Sequence, residues 1–320
     1  MAEYQNSSIA VENITYCGEQ ANEIFSQDLF TIDIVAQDAI NVMTNVRGKK
    51  QLVSGKVQAW FEAYTCLWKN TTEANLAEKW IETTPLDLGG EFCFGQFYDS
   101  YLTEALRVSI NHNTEIPPFS EWLFEQLRKE MSRAYQNLFW RGDTSSNNVK
   151  ISAVDGIEVQ LEGSQDVEKI NGSAFTLQNI LAQVKAAALK AIELAGAAEI
   201  DTAEHKIYMN WNDVKLLQFA LGDLCCEVSS ERVFSNFTLN NGQIAIYGIP
   251  VVATMQTPST IIVCPRHSLT LACDMFDSHM TYKVIDLRES TLDDILRWRC
   301  ITNLGAGILF DDIIVYSRVQ

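Results

Sequence analysis

Basic residues are scarce in this sequence. Twenty-four Lys and Arg stand against 41 Asp and Glu in 320 residues, a formal net charge of −17. The deficit is even: residues 1–150 hold 12 basic and 20 acidic side chains, and residues 151–320 hold 12 and 21. Binding nucleic acid through its phosphates requires Lys and Arg to displace counterions, so neither half is a basic nucleic-acid module. The first basic residue is Arg47, and Glu3, Glu12, Glu19, Glu23, Asp28, Asp33 and Asp38 precede it. That excludes a nucleic-acid-binding N-terminal arm and leaves a solubilising negative field. Proline is scarce as well, at six residues, while 47% of the chain is hydrophobic. A disordered chain would show the reverse. A folded chain of this length buries about 75% of its extended surface, enough for a large core or several subdomains.

Long apolar runs are missing. The longest nearly uncharged one, Gln243–Met255, has 13 residues and contains Gly and Pro, whereas a spanning helix needs about 20. The opening Met-Ala-Glu-Tyr-Gln-Asn has no cationic-then-apolar signal pattern. The expectation is a chain made and kept in a cytoplasm, with its Asn-x-Ser/Thr sites at Asn6, Asn13, Asn70, Asn171 and Asn236 unused. Of the eight cysteines (17, 66, 93, 225, 226, 264, 273 and 300), none form Cys-x-x-Cys. They read as reduced, buried, small hydrophobes.

Catalytic signatures are missing too. There is no Gly-x-Ser-x-Gly elbow, Walker loop, His-Glu-x-x-His or Ca²⁺ loop. Gly305-Ala306-Gly307 lacks the third glycine of a dinucleotide fingerprint, because Phe310 stands there. Of four histidines, two fall in Cys264-Pro265-Arg266-His267, Cys273 and His279, a spacing unlike the common zinc sites. Core packing is the simpler reading, because Ile261-Ile262-Val263 run straight into Cys264. Asp293-Asp294 and Asp311-Asp312 offer paired carboxylates. Adjacent side chains diverge on strands and helices alike, so neither pair chelates without further ligands. Arg141-Gly142-Asp143 spells an adhesion tripeptide, but its Gly is better read as a helix end, and Cys225-Cys226 has no cationic neighbour to lower a thiol pKa. The residues therefore imply no catalytic site, no cofactor site and no metal site.

The pattern that is present describes interspersed helices and strands. A short helix fits Gly18–Leu29, followed by a strand over Phe30–Val35. Strands fit Lys56–Phe61 and Trp80–Leu86, with Gly89-Gly90 breaking the pattern. The clearest element is a helix from an N-cap at Ser120 to about Trp140, with Phe119 and Phe124 as a hydrophobic staple. Its apolar stripe is Phe124, Leu127, Met131, Ala134 and Leu138, and Gly142 is its C′ stop. At 1.5 Å per residue this is a rod of roughly 30 Å. Further helices fit Leu177–Ala195, stopped by Gly196, and Asn212–Leu221, stopped by Gly222. Asn241-Gly242 between two β-rich runs signals a hairpin. Ser259–Val263 reads as a buried strand, Ser290 or Thr291 caps a short helix to about Trp298, and Gly307–Tyr316 closes the chain with strands. No regular alternation appears, which favours α+β over a doubly wound sheet.

The order of these elements resembles the major capsid proteins of tailed bacteriophages, the fold named after phage Hong Kong 97 (HK-97 fold). Ala134-Tyr135-Gln136-Asn137-Leu138-Phe139-Trp140-Arg141-Gly142-Asp143 is similar to the end of that family's strut helix. Asp155-Gly156-Ile157 is similar to the Gly-Ile that follows it, and Tyr247-Gly248-Ile249-Pro250-Val251-Val252 to its Gly-x-Pro-Val strand. Ile261–Pro265 is similar to the strand leaving the axial subdomain. Val284–Leu287 and Ile313–Tyr316 are similar to the returning peripheral strands.

The resemblance implies an α+β capsid fold with an N-terminal arm (1–45) and an extended loop region (46–90). It implies a peripheral subdomain (91–150 and 281–320) and an axial subdomain (151–280). It implies a structural role: a self-assembling major capsid protein forming pentamers and hexamers of an icosahedral shell around double-stranded phage DNA. The virion capsid would assemble in the bacterial host cytoplasm. Partners implied are other copies of the chain, a scaffolding protein, portal and decoration proteins, and packaged DNA held without specific binding. No long N-terminal coil precedes the fold, so either scaffolding is separate or the chain is already processed. Arg47, Lys49 and Lys50 would form a basic loop tip that meets acidic surface on an adjacent subunit. Glu at both 49 and 50 is expected to slow assembly and leave folding intact. A Lys–Asn cross-link, as in some members, would need Lys49 or Lys50 and an Asn such as Asn303, and no spacing supports one. Two alternatives stand beside this reading: an encapsulin-type compartment shell, and a soluble enzyme with an unrecognised site.

Overall fold

The computed structural model describes residues 15–16, 39–46, 48–59, 61–63, 72–93, 119–198, 201–227, 237–240, 243–273, 282–286 and 295–319. The expected helix at Gly18–Leu29 and strand at Phe30–Val35 lie outside them, as do Asp293-Asp294 and the Asn241-Gly242 turn itself. The chain divides into two compact units: Met1–Ile32 with Pro85–Tyr135 and Asp274–Asn303, and Asp33–Thr84 with Gln136–Cys273 and Leu304–Gln320. Among the described residues, no helix is long and apolar enough to cross a membrane.

In the first unit, β1 (Thr15–Tyr16) pairs antiparallel with β13 (Tyr282–Asp286). That strand pairs antiparallel with the first part of β14 (Ile295–Ile308), from Tyr282↔Cys300 to Asp286↔Leu296. The short helix expected up to Trp298 is therefore strand over Ile295–Trp298. Pairing with β13 decides the outcome, as tertiary context does for short apolar runs. β5 (Thr84–Cys93) also pairs with β14. Gly89-Gly90 do not break the pattern but lie inside β5. A Cβ at Gly90 would meet Trp298 Nε1 at 2.9 Å, so the glycine makes room for the indole. Arg299 holds Asp87, and Arg297 holds Glu91, in exposed cross-strand pairs.

The second unit is built on a seven-stranded sheet in the order β6-β15-β11-β7-β10-β9-β8. Its strands are β6 (Glu168–Gly172), β7 (His205–Asn210), β8 (Phe237–Asn240), β9 (Gln243–Ile246), β10 (Ile249–Thr254), β11 (Ile261–Pro265) and β15 (Val315–Val319). β6 runs parallel to β15, and β7 parallel to β10; the other pairings are antiparallel. The expected hairpin is present, with Asn240 opposite Gln243. β11 is buried at every residue, which explains its unbroken Ile-Ile-Val-Cys run.

Helices α3 (Ile180–Ala197) and α4 (Trp211–Glu227) cover one face of this sheet. Ile180, Val184, Ala187, Ala188, Ala191, Leu217 and Ala220 pack there on Ile207, Met209, Val251, Ile261, Val263 and Val315. Strand alternation turns Tyr208 to the other face. There its ring meets Trp140 at 5.8 Å, and its hydroxyl donates to the Ala39 carbonyl. α3 starts three residues later than the spacing predicts, and Leu177 is exposed. Gly196 and Gly222 end neither helix; both lie within the last turns of longer ones.

Helix α1 (Phe119–Arg141) is the long strut that the 3.6-residue spacing predicts. Two details differ. Ser120 falls inside the helix rather than before it. Among the described side chains, the buried positions are Tyr135, Phe139 and Trp140, while Ala134 is exposed. The buried stripe is thus displaced by one residue, because the aromatic side chains carry the larger apolar area. Gly142 follows the helix as expected but for a different reason. It has no positive φ, and a Cβ there would meet the Val154 carbonyl at 2.2 Å. Gly156 faces it, with Gly156 N donating to Gly142 O at 2.9 Å. The pair lets the chain pass close to the strut's end and enter α2 (Ile157–Gly163).

Candidate functional site

A long two-stranded ribbon stands apart from the two larger sheets. Strands β3 (Lys49–Ala59) and β4 (Thr72–Glu82) pair antiparallel in an unbroken register from Lys49↔Glu82 to Ala59↔Thr72. At about 3.4 Å per residue, eleven residues extend roughly 37 Å. No third strand joins them among the described residues. A two-stranded ribbon is marginally stable alone in water. Its inner end solves this by anchoring in its own unit.

The anchor is specific. Leu52 and Ile81 are buried with Val46 and Ala272, against Met43 and Leu309. β14 meets the ribbon's inner end through two glycines. A Cβ at Gly305 would meet the Glu82 carbonyl at 2.6 Å, and one at Gly307 would meet Ile81 Cδ1 at 2.7 Å. Gly305-Ala306-Gly307 is therefore a strand surface that admits the ribbon, not a phosphate loop. Thr83 is buried at the corner. Its amide donates to Gly48 O at 2.9 Å, and its hydroxyl accepts from Gly48 N at 3.0 Å. That hydroxyl also lies 3.2 Å from the Val46 carbonyl, as donor. Gly48 takes φ +80° to make the turn. Lys79 reaches across to Asp311, whose second oxygen accepts from Ser164 Oγ at 3.0 Å. The Asp311 carboxylate is thus occupied in holding the ribbon.

The structure relocates the basic residues of the sequence reading. Lys49 and Lys50 open β3 at the anchored end, opposite Glu82 and Ile81. They do not form the tip, which lies beyond the Ala59↔Thr72 pair. Eleven residues of unbroken register displace them from it. Lys49 pairs with Glu82 at 3.1 Å, both well exposed, a contact of little energetic weight. Arg47 lies outside the described residues. Sequence reasoning missed Trp80. It sits beside buried Ile81, yet 61% of it is exposed, on the other face of the ladder. Its place on the same strand face as Glu78 and Glu82, two residues either side, was the available signal. Phe61, past the end of β3, is fully exposed.

The remaining candidate chemistry disperses. Cys264 is buried beside Tyr208, and burial pushes its thiol well above the usual range. Cys273 lies 3.7 Å from the Met43 carbonyl, and His267 is exposed beside Glu204. His279 lies outside the described residues. Among the described residues, no three His, Cys, Asp or Glu converge on a metal site. Asp143 of the Arg-Gly-Asp tripeptide accepts from Ser145 N and Oγ in a local turn.

Two carboxylates clasp the turn between β10 and β11. Glu158 accepts from Thr257 N and Oγ, and Asp213 accepts from Ser259 N at 2.7 Å. Desolvation raises the pKa of both. Gln256, fully buried, donates to the Thr260 carbonyl within the turn and to the Tyr208 carbonyl of β7. These groups fix the turn between the two strands.

No protein-family model matches the chain, and no curated protein sequence matches it. Solved structures do. The satellite phage P4 procapsid including size determination (Sid) protein matches with a TM-score of 0.58 at 10% identity, over 97% of this chain and 94% of that one. The capsid of Myoviridae phage XM1 matches at 0.54 and 11% identity, over 99% and 97%. The virus-like particle from Pyrococcus furiosus matches at 0.50 and 8% identity, over 94% and 99%. The chain has the Hong Kong 97-type capsid fold, an α+β fold, as the order of its elements implied.

Proposed function

We propose that this chain is the major capsid protein of a tailed bacteriophage. It assembles into pentamers and hexamers of an icosahedral shell that encloses double-stranded DNA in the virion. The observation that carries this reading is the likeness, over nearly the whole of both chains, to proteins of phage capsids and a procapsid. The ribbon supports it physically: a two-stranded arm of roughly 37 Å, with no third strand among the described residues, is marginally stable alone and gains from lying on a neighbouring subunit. In this reading residues 1–45 are the arm, 46–90 the extended loop, 91–150 and 281–320 the peripheral subdomain, and 151–280 the axial one. The role is structural, without catalysis. Scaffolding, portal and decoration proteins are its partners, and assembly takes place in the host cytoplasm. Arg47, Lys49 and Lys50 contact a neighbour, Lys49 and Lys50 from the ribbon's inner end, where pairing with acidic surface sets register more than affinity. DNA is enclosed without tight binding, because a net charge of −17 repels phosphate.

A compartment shell holding protein cargo instead of a genome is the second reading. The likeness to the virus-like particle favours it. Negative-stain electron microscopy of the protein, expressed alone and with a scaffolding partner, tests both. Closed shells, tubes or free hexamers are expected. Co-purified protein inside the shells would select the second reading, and a monodisperse monomer or dimer under both conditions would overturn both.

A further inference from the structure

The ribbon is held to the rest of its unit at two levels. The first is the corner, where Thr83 exchanges hydrogen bonds with Gly48 and Ile81 enters the small core. The second lies farther out. Lys79 stands opposite Leu52 on the ladder, on the same face as Ile81, and its ammonium meets the Asp311 carboxylate. Both side chains are less than a third exposed, so salt screens this pair less than the exposed Lys49–Glu82 pair. Asp311 is itself fixed. Ser164 Oγ donates to its second oxygen at 3.0 Å, and Ile314 N donates to its carbonyl at 3.2 Å. Ser164 N caps α2 by donating to Gln160 O at 3.0 Å, and Gln160 Nε2 donates to Ala306 O of β14 at 2.9 Å. Glu168 N of β6 donates to Ile314 O at 3.1 Å. The anion thus belongs to a web of α2, β6, β14 and the turn before β15, while its cation belongs to the ribbon.

We propose that Lys79, Asp311 and Ser164 are a brace that sets the angle at which the ribbon leaves its own subunit, which makes Lys79 a positioning residue for the contact the ribbon makes. The lever arm is the reason. Lys79 lies about 14 Å along the strand from the Thr83 corner, and the Ala59↔Thr72 end lies about 37 Å out. A shift of about 1 Å at the brace therefore moves the outer end by roughly 3 Å. The corner bonds and Ile81 lie near the pivot, where they resist tilting with a short arm. Gly48 at the corner takes φ +80°, and nothing lies within 4 Å of the place a Cβ would occupy. Leu52 packs at the level of Lys79, but apolar contact is non-directional. A charge-assisted hydrogen bond has a defined geometry, so the ion pair fixes direction where the apolar contact fixes only proximity. Glu78 and Glu82 lie on the other face of the ladder, which leaves Lys79 to Asp311. The consequence for assembly rests on the shell reading: ribbons delivered at one angle close shells of one size. The brace itself is a property of the single subunit.

The test uses the full chain with Lys79→Met, with Asp311→Asn, and with the charge exchange Lys79→Asp plus Asp311→Lys. Spin labels on noncanonical residues replacing Thr72 at the outer end and Ala186 on α3, both exposed, report the angle as a distance distribution by double electron–electron resonance. Labelled chain is diluted into unlabelled chain, so that only distances within one subunit are read. Circular dichroism reports folding, and electron microscopy reports shell diameters. Both single variants are expected to give distributions about twofold broader than wild type, because the lever magnifies play at the brace, and the charge exchange is expected to restore the narrow one. Distributions as narrow as wild type in both single variants would overturn the inference. So would broadening that the charge exchange leaves in place, which would trace it to lost packing. If Lys79→Met does not fold, Asp311→Asn and the exchange decide by the same readout. Shells of mixed diameter are expected from the single variants and of one diameter from the exchange. A wild-type chain that forms no shells would overturn the shell reading, while the distance distributions would still decide the brace.

Discussion

Asp311 shows how a residue singled out for one chemistry serves another. Beside Asp312 in the sequence it suggested a cation site, yet in the fold it joins Lys79 of the ribbon to Ser164. Its partners stand 232 and 147 positions away, so no local pattern could have named them. Asp311→Asn removes the charge partner of a half-buried lysine. It should lower the unfolding free energy by about 1–3 kcal/mol, read from urea unfolding. Glu158 and Asp213 make a pH prediction. Burial raises both pKa values in the folded state, opposed at Glu158 by its Thr257 hydrogen bonds and by Arg141 and Arg318. The folded chain therefore binds these protons more tightly than the unfolded chain does. Their contribution to stability rises as pH falls through the raised values and levels off in the ordinary carboxylate range. Glu158→Gln should flatten part of that rise in unfolding experiments between neutral and mildly acidic pH. His205 acts in the opposite sense. Burial lowers its pKa, so stability is lost as pH falls through the ordinary imidazole range.

At the scale of elements, the ribbon concentrates the functional argument. Trp80 is exposed on it, next to the buried Ile81. Trp80→Ser should change monomer stability by less than about 0.5 kcal/mol, as at other exposed sites. It should reduce shell yield several-fold in the same preparations, and an unchanged yield would remove Trp80 from the contact. Much of the element list was legible in the sequence. The strut helix, the hairpin at Asn240↔Gln243 and the buried β11 all followed from periodicity and turn chemistry. What escaped was set by distant partners. Ile295–Trp298 became strand by pairing with β13, and Gly89-Gly90 stayed in a strand because Trp298 fills the space beside them. The ribbon was legible only in pieces, since the Lys49↔Glu82 register links residues whose side chains say nothing of one another. Trp80 was readable as an aromatic in an alternating run, but its exposure depends on which face the inner end buries.

For the whole molecule, acidity and shape combine in one account. In the proposed shell, a net charge of −17 would keep free subunits apart and let enclosed DNA move. Assembly would then depend on local contacts, the ribbon first among them. Each contact is weak alone, and closure of a shell makes many act together. Fold order was visible in the sequence as a succession of short motifs, whereas the ribbon was not, because its register joins strands through distant partners. The central claim is that the ribbon of one copy lies on another copy within a closed shell. Electron cryomicroscopy of the assembled particles tests it most directly. The account predicts density for Lys49–Glu82 crossing onto an adjacent subunit, with Trp80 and Phe61 covered there. A ribbon folded back on its own subunit, or one free in solvent within an intact shell, would contradict it.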